Sequence, residues 1–373
     1  MTSDVLQTPT GGLRLRRPTA GRGLRAWDAA DEQLLDAAGT TLAERPGARV
    51  LVVDDQFGAL SLGLAANPLT VVADSATLPG ALALNGDPSG RPVANWLSPP
   101  DGPFDLVVLR IPRQADYLAW LLRWVNGVLA EGGRLIAGGM IKHLPDHSVA
   151  VFADAVETEA VLPARKKARV VICRAGRAQL VDWAEAWKGY QTAEGLQLMA
   201  LPAVFARQRL DIGTRLLLPH VARTVAELPE GGRVLDLACG NGVLGVTALH
   251  ERPDLAVTFS DVSSQAVASA RYNVVGAMPD VRAEFHHADG IRPDAGNFDR
   301  ILLNPPFHEG GVVGDHLAQK LFRAAARHLA PGGRLLIVGN RHLGYHRTLG
   351  QVFRQVRQLD ADPKFVVFEA GRS

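Results

Sequence analysis

Four segments from the first half of this chain recur, in the same order, in its second half. Gly47-Ala-Arg-Val-Leu-Val-Val-Asp-Asp-Gln-Phe-Gly58 matches Gly231-Gly-Arg-Val-Leu-Asp-Leu-Ala-Cys-Gly-Asn-Gly242. Phe104-Asp-Leu-Val-Val-Leu109 matches Phe298-Asp-Arg-Ile-Leu-Leu303. Leu129-Ala-Glu-Gly-Gly-Arg-Leu-Ile136 matches Leu329-Ala-Pro-Gly-Gly-Arg-Leu-Leu336, and Lys167-Ala-Arg-Val-Val-Ile172 matches Lys364-Phe-Val-Val-Phe368. One such match arises by chance; four in order indicate a duplicated domain. A length of 373 residues suits two domains rather than one. The expected division is a first copy over 1–180, a linker with entry helices over 181–230, and a second copy over 231–373.

Each copy alternates short apolar runs with helical patterns. In the second, strands are expected at 233–237, 256–260, 282–286, 299–303, 334–338 and 364–368. Helices are expected at 243–250, 263–273, 315–329 and 346–356. Strands alternating with helices give an α/β class with a doubly wound, mainly parallel sheet, so the chain reads as two tandem Rossmann-like domains. In the connecting segment, Trp183 to Leu198 looks helical and Asp211 to Leu228 reads as an amphipathic helix.

Composition excludes several function classes. A formal net charge of +2 is too small for a protein that coats nucleic acid non-specifically, although it leaves local basic patches open. The two cysteines, Cys173 and Cys239, form no CxxC pair, which argues against a structural zinc site and a disulfide framework. His286, His287, His308, His342 and His346 stand in no ligand pattern, so no metal is assigned. No basic segment followed by an apolar stretch opens the chain, and no apolar run is long enough to span a bilayer. The expectation is a cytoplasmic, monomeric protein without a membrane partner.

Two motifs carry chemistry. Val234-Leu-Asp-Leu-Ala-Cys-Gly240-Asn-Gly242 is a strand running into a glycine-rich turn, with a helix from Val243. The unpaired N–H groups and dipole of that helix end suit a ligand. Gly240-Asn-Gly-Val-Leu-Gly245 also satisfies G-x-G-x-x-G, so a nicotinamide dinucleotide and a methyl donor both fit the pattern. Asp261 follows the second strand, where a ribose-binding acid belongs in either case. Asp236 would repel a pyrophosphate and suits the cationic groups of S-adenosyl-L-methionine. The expected cofactor contacts are Asp236, Ala238, Gly240, Asn241, Gly242, Asp261, Val262, Asp289 (toward the adenine amine) and secondarily Asn304.

The second motif is Asn304-Pro305-Pro306-Phe307, directly after the fourth strand. Proline fixes its own φ and holds the preceding residue extended. The result is a stiff turn at the carboxyl end of the sheet that presents the Asn304 oxygen. Acceptors there favour a more tetrahedral exocyclic amine, whose lone pair is then available to a methyl group. Phe307 would stack on the base.

With these motifs the chain resembles class I S-adenosylmethionine-dependent methyltransferases. More closely, it is similar to bacterial ribosomal RNA guanine-N2 methyltransferases, built from two tandem domains with the C-terminal one active. The resemblance rests on Val204-Phe-Ala-Arg207, Leu210-Asp-Ile-Gly213, Asp236 to Gly242, Asn304 to His308, and Asn340-Arg-His-Leu-Gly-Tyr345. The Asn-Arg-His-Leu stretch and Lys364-Phe-Val-Val favour the large-subunit branch. The guanine and the ribosomal RNA come from this resemblance alone. The same Asn-Pro-Pro-aromatic turn would also serve DNA adenine-N6 or protein glutamine-N5 methylation. A non-catalytic RNA-binding assembly protein is a further alternative.

The first copy departs from the pattern. It has Asp54-Asp55-Gln-Phe-Gly58 at the turn and Leu109-Arg-Ile-Pro-Arg113 in place of Asn-Pro-Pro-Phe. It is expected to be catalytically inert and to support the second copy or hold RNA. Residues 164–178 contain Arg165, Lys166, Lys167, Arg169, Arg174 and Arg177 and no acid, and Arg14, Arg16, Arg17, Arg22 and Arg25 form another basic stretch. Arg165, Lys166, Lys167, Arg169 and Arg341 are the expected RNA contacts. Phe205, Arg207 and Asp211 are candidates for the mouth of the site or for packing.

Overall fold

The structure is a computed structural model that describes residues 5–8, 11–18, 25–87, 90–306 and 315–372. By its contacts the chain divides into two compact units, Met1–Ala186 and Trp187–Ser373.

The first unit opens with a small hairpin, β1 (Leu6–Thr8) and β2 (Gly11–Leu13), followed by α1 (Ala29–Glu44). Then come β3 (Val50–Val53), α2 (Ala59–Gly63), β4 (Leu69–Val72), α3 (Leu78–Leu84), β5 (Val93–Ala94), β6 (Phe104–Arg110) and α4 (Ala115–Val128). The unit closes with β7 (Leu129–Met140), α5 (Ser148–Ala155), β8 (Glu157–Val161) and β9 (Ala168–Arg174). Its seven-stranded sheet has the order β5-β4-β3-β6-β7-β9-β8. The strands from β5 to β7 pair in parallel, and β9 runs antiparallel to both β7 and β8.

The second unit begins with the hairpin β10 (Lys188–Gln191) and β11 (Gln197–Ala200), then α6 (Ile212–Ala226). It continues through β12 (Arg233–Leu237), α7 (Val243–Glu251), β13 (Ala256–Asp261), α8 (Ser264–Ala277), β14 (Arg282–His287) and β15 (Phe298–Leu303). The last elements are α9 (Asp315–His328), β16 (Leu329–Asn340), α10 (Tyr345–Gly350), β17 (Gln355–Ala361) and β18 (Phe365–Gly371). The sheet order β14-β13-β12-β15-β16-β18-β17 repeats that of the first unit, antiparallel end included.

Residues of β12, β15 and β16 alternate between two cores, as the period of a strand requires. Val234, Leu302 and Leu336 pack with α6, α7 and α8 on one face. Leu235, Leu303 and Ile337 pack with α9 and α10 on the other. Covering both faces explains why the central residues of these strands are almost all apolar, the buried Asp236 of β12 being the exception. The sheet order reverses at β12, which pairs with β13 on one side and β15 on the other. Leu237 lies opposite Leu303, so the turns after β12 and β15 leave the same sheet edge side by side. That crevice is where open α/β sheets bind ligands.

Two sequence expectations require correction. The helix expected over 346–356 ends at Gly350, and Gln355–Ala361 forms the edge strand β17, held by an antiparallel ladder to β18. The segment from Trp183 to Leu198, expected to be helical, holds a single 3-10 turn at Ala184–Ala186 and the β10–β11 hairpin. Its strands are fixed by a distant partner: Asn273 of α8 donates from Nδ2 to the Met199 carbonyl at 2.8 Å and accepts the Met199 N–H at 2.8 Å. The segment from 187 onward belongs to the second unit, with Leu198, Leu217 and Val221 in its core.

Candidate active site

The turn after β12 is built from backbone that favours glycine. Gly240 has φ +55° and Gly242 φ +84°, and between strand and turn Ala238 also takes the left-handed region at +56°. The glycines serve different ends. A Cβ on Gly245 would press to 2.3 Å from the Phe259 ring, and one on Gly242 would meet Ala270 at 3.0 Å, so both allow close packing. A Cβ on Gly240 would meet only Val204 at 4.0 Å, so this glycine leaves open space above the turn.

Two carboxylates brace the turn. Asp261 Oδ2 accepts the Gly240 N–H at 2.9 Å, and its Oδ1 accepts the Ser263 N–H at 2.9 Å. Asp236 is fully buried, and its Oδ2 accepts the Gly245 N–H at 2.8 Å. Its Oδ1 is buried without a hydrogen-bond partner. Burial pushes the Asp236 carboxyl up to about 8, with the nearby Asp261 charge adding to the shift and the Gly245 N–H opposing it. Asp236 therefore sits beneath the turn, where it both supports the start of α7 and leaves one acceptor atom for a donor.

The other sequence-selected groups fall into place unevenly. Asn241 is buried, and its side chain is spent inside the turn, donating to the Tyr190 hydroxyl at 3.2 Å and accepting the Val243 N–H at 3.3 Å. Val262 is partly exposed, and its carbonyl lies 3.0 Å from His287 Nε2. Asp289 is exposed and paired with Lys320 of α9, so its carboxylate already has a cation partner.

At the end of β15, Asn304 is half-buried, Pro305 is buried and Pro306 is exposed. Phe307 and His308 lie outside the described residues. The Asn304 amide donates from Nδ2 to Thr214 Oγ1 at 2.8 Å and to Asp211 Oδ2 at 3.1 Å. Its Oδ1 is buried with no hydrogen-bond partner. Asp211 is the N-cap of α6 and also accepts the Thr214 N–H at 3.0 Å. Thr214 was invisible as a site residue in the sequence; only its position one turn into a capped helix (Asp-x-x-Thr) hinted at a polar cluster. Of the other mouth candidates, Arg207 is buried and donates to the Ala200 carbonyl, while Phe205 is 68% exposed beside the Val204 that borders the glycine turn.

The first unit places different chemistry at the same positions. Val52 stands in register where Asp236 stands, and Asp55 takes over the bracing, accepting the Ser61 N–H at 2.8 Å. The Asn304 position holds Arg110, whose guanidinium donates to Asp28 and Asp31 at 2.8 and 2.9 Å. Trp96 donates to the Tyr117 hydroxyl at 2.7 Å, and that hydroxyl donates to Asp54 at 2.8 Å, at the carboxyl edge of the sheet.

The basic strip is less available than its sequence suggests. Arg165 pairs with Asp36 at 2.9 Å and Lys166 with Glu32 at 2.6 Å, both acids lying on α1. Arg174 pairs with Glu159. Lys167 is exposed, Arg169 is half-buried, and neither is ion-paired among the described residues. Arg341 is exposed just beyond β16. Arg22 lies outside the described residues. Among the described residues no group of three or more His, Cys, Asp or Glu is placed to hold a metal, and no helix is long and apolar enough to cross a membrane.

This arrangement fits the expected cofactor. Open space stands over Gly240, a bare carboxylate oxygen lies beneath the turn, and a bare amide oxygen ends the neighbouring strand. Buried acceptors without donors are costly unless something donates to them. A ligand with a cationic amine and a substrate with an exocyclic amine would supply such donors.

Comparison with known proteins agrees. The Methyltransferase small domain matches residues 195–369, and the RLMG N-terminal domain matches residues 3–177. The Alcanivorax borkumensis ribosomal RNA large subunit methyltransferase G is 40% identical, covering 96% of this chain and 95% of its own. The Pseudomonas putida protein of the same name is 40% identical, covering 99% of this chain and all of its own. A T. thermophilus 16S rRNA N2 methyltransferase, solved with AdoMet and guanosine, superposes with a TM-score of 0.77 over 99% of this chain and 97% of its own. At 23% identity that likeness bears on the fold, which is the same pair of tandem α/β domains. On this evidence the chain belongs to the ribosomal RNA large subunit methyltransferase G family.

Proposed function

We propose that this chain transfers a methyl group from S-adenosyl-L-methionine to the exocyclic N2 amine of a guanine in large-subunit ribosomal RNA. The observation that carries the reading is the bare, buried Oδ1 of Asn304 at the sheet edge beside the glycine turn. The relatives named for large-subunit rRNA methylation direct it to that RNA.

Bound S-adenosyl-L-methionine supplies an electrophilic methyl group on a sulfonium. The chain does the positioning. Asp236 Oδ1 would accept from the cofactor's amine and the glycine turn from Ala238 to Gly242 would hold it, while Asp261 keeps the Gly240 amide in place. Asn304 Oδ1 would accept an N–H of the guanine amine, which withdraws its lone pair from the ring and turns it toward the methyl group; as the N–C bond forms the S–CH3 bond breaks, S-adenosyl-L-homocysteine leaves, and the nitrogen gives its surplus proton to solvent. Pro305 and Pro306 bring no N–H to compete for that oxygen. Acceptors aimed at a nitrogen that gains positive charge stabilise the transition state more than the ground state. Phe307 serves as the stacking surface for the base, and Arg341, Lys167 and Arg169 contact phosphates.

The first unit carries no cofactor in this reading. Nucleoside mass spectrometry of ribosomal RNA incubated with the protein and labelled cofactor tests it. Label in N2-methylguanine of the large-subunit RNA is expected, with calorimetry giving one cofactor per chain. Label in another amine, or two cofactors per chain, would refute the respective part.

A further inference from the structure

Every N–H of the Asn304 amide is committed to one helix end. Nδ2 has two hydrogens and two acceptors, Thr214 Oγ1 at 2.8 Å and Asp211 Oδ2 at 3.1 Å. The Thr214 hydroxyl in turn donates to Asp211 Oδ2 at 3.4 Å, which leaves its lone pairs facing the Asn304 amide. Asp211 is an acceptor only. Rotating the amide by half a turn would set Oδ1 against that carboxylate and leave both amide hydrogens unpaired.

We propose that Asp211 and Thr214 are positioning residues for the methyl-transfer step: they fix the sense of the Asn304 amide, so that its oxygen and never its nitrogen meets the acceptor amine. The inference rests on the reading of Asn304 as the group that holds that amine. A side-chain amide presents oxygen and nitrogen at nearly the same positions, and only its hydrogen-bond partners distinguish the two senses. An Asn304 turned the other way would place a donor against an amine that itself donates.

The first unit shows the same helix end in a different use. There the N-cap of its first helix is Asp28 and the residue three on is Asp31, the counterparts of Asp211 and Thr214. Both accept from Arg110, which has no acceptor atom to offer. In both units the first turn of a capped helix clamps the residue that ends the fourth strand. Only in the second does the clamped side chain retain an oxygen.

The test uses the full chain with Asp211→Asn, Thr214→Val, Asn304→Asp and the pair Asn304→Asp with Asp211→Asn. Asn caps a helix as well as Asp does, so Asp211→Asn keeps α6. Thr214→Val keeps the backbone N–H that Asp211 accepts. Thr214→Val should lower kcat by about tenfold or more, the scale of a lost hydrogen bond in a charged cluster, and Asp211→Asn, which keeps an oxygen in the cap but loses its charge, should lower it a few-fold, with cofactor Kd and the KM for RNA little changed in both. Asn304→Asp should be poor because two carboxylates then face each other. Adding Asp211→Asn should recover about tenfold in kcat by removing one of the two facing charges. Unchanged kcat in the single variants, or a pair worse than Asn304→Asp alone, would overturn the proposal.

If the wild type methylates a different amine, the functional reading fails and the same variants are compared on that substrate. If it methylates none, the side-chain amide signals of Asn304 in 15N NMR decide. Slow hydrogen exchange in the wild type and fast exchange in Thr214→Val support the clamp; equal exchange overturns it.

Discussion

The Arg110 guanidinium donates to Asp31 Oδ1 at 2.9 Å, with both side chains more than nine-tenths buried. This ion pair sits where the second unit keeps the open oxygen of Asn304. A duplicated domain that has lost its turn aspartate, its first turn glycine and its strand-end amide has here exchanged a ligand contact for an internal one.

Truncating Arg110 should therefore affect stability and not catalysis. Arg110→Ala leaves Asp28 and Asp31 without their cation, and breaking a buried pair in this way costs about 3–5 kcal/mol. Chemical denaturation of the first unit's transition should show that loss. Cofactor affinity measured by calorimetry should stay as in the wild type, and a large fall would place the cofactor site elsewhere.

Asp236 gives a pH dependence of definite sign. Its folded carboxyl is raised to about 8 from an ordinary value of 3.8. Between those values the folded state binds more protons than the unfolded state, so stability falls as pH rises through that window. The contribution is fully present below 3.8 and gone above about 8. Asp236→Asn removes it, and the variant should gain in Tm relative to the ligand-free wild type on going from pH 5 to pH 9. The same variant should lose cofactor binding, because an amide N–H can now face the cofactor's cationic amine. Parallel Tm profiles for the two proteins would contradict the buried, raised carboxyl.

The glycines of the turn should separate by function. Gly240→Ala costs roughly 1–2 kcal/mol for a left-handed non-glycine residue and meets no packing clash, yet its methyl group enters the space above the turn. Cofactor affinity should collapse while the fold survives. Gly245→Ala drives a methyl group into Phe259 and should destabilise the second unit, by about 1–3 kcal/mol for overpacking. Circular dichroism melts paired with cofactor titration distinguish the two outcomes.

Pairing within the basic strip predicts unequal RNA contributions. Lys167→Ala should reduce the slope of log K against log salt by about 0.7 if it meets one phosphate of a single strand. Arg165→Ala and Lys166→Ala should do less, since Asp36 and Glu32 already neutralise them. Glu32→Gln with Asp36→Asn should tighten RNA binding. Filter binding over a salt series measures all of these, and equal slopes for the three basic variants would contradict the inequality.

What the sequence by itself determined was everything carried by local pattern. The duplication, the parallel strands and the two ligand turns follow from short segments whose glycines, prolines and apolar runs dictate their own backbone. Strands β12, β13 and β15 fall within a residue or so of where the periodicity places them, because burial on both faces leaves the pattern little freedom. What only the tertiary structure decided was anything that depends on a partner far along the chain. The β10–β11 hairpin exists because Asn273 pairs with Met199, and β17 exists because β18 offers it a ladder. Arg165 and Lys166 read as free cations until α1 brings Glu32 and Asp36 to them. The sense of the Asn304 amide is set by Asp211 and Thr214, about ninety positions earlier. Hydrogen bonds and ion pairs act through space over a few ångströms, and sequence separation carries no information about that distance until the chain has folded.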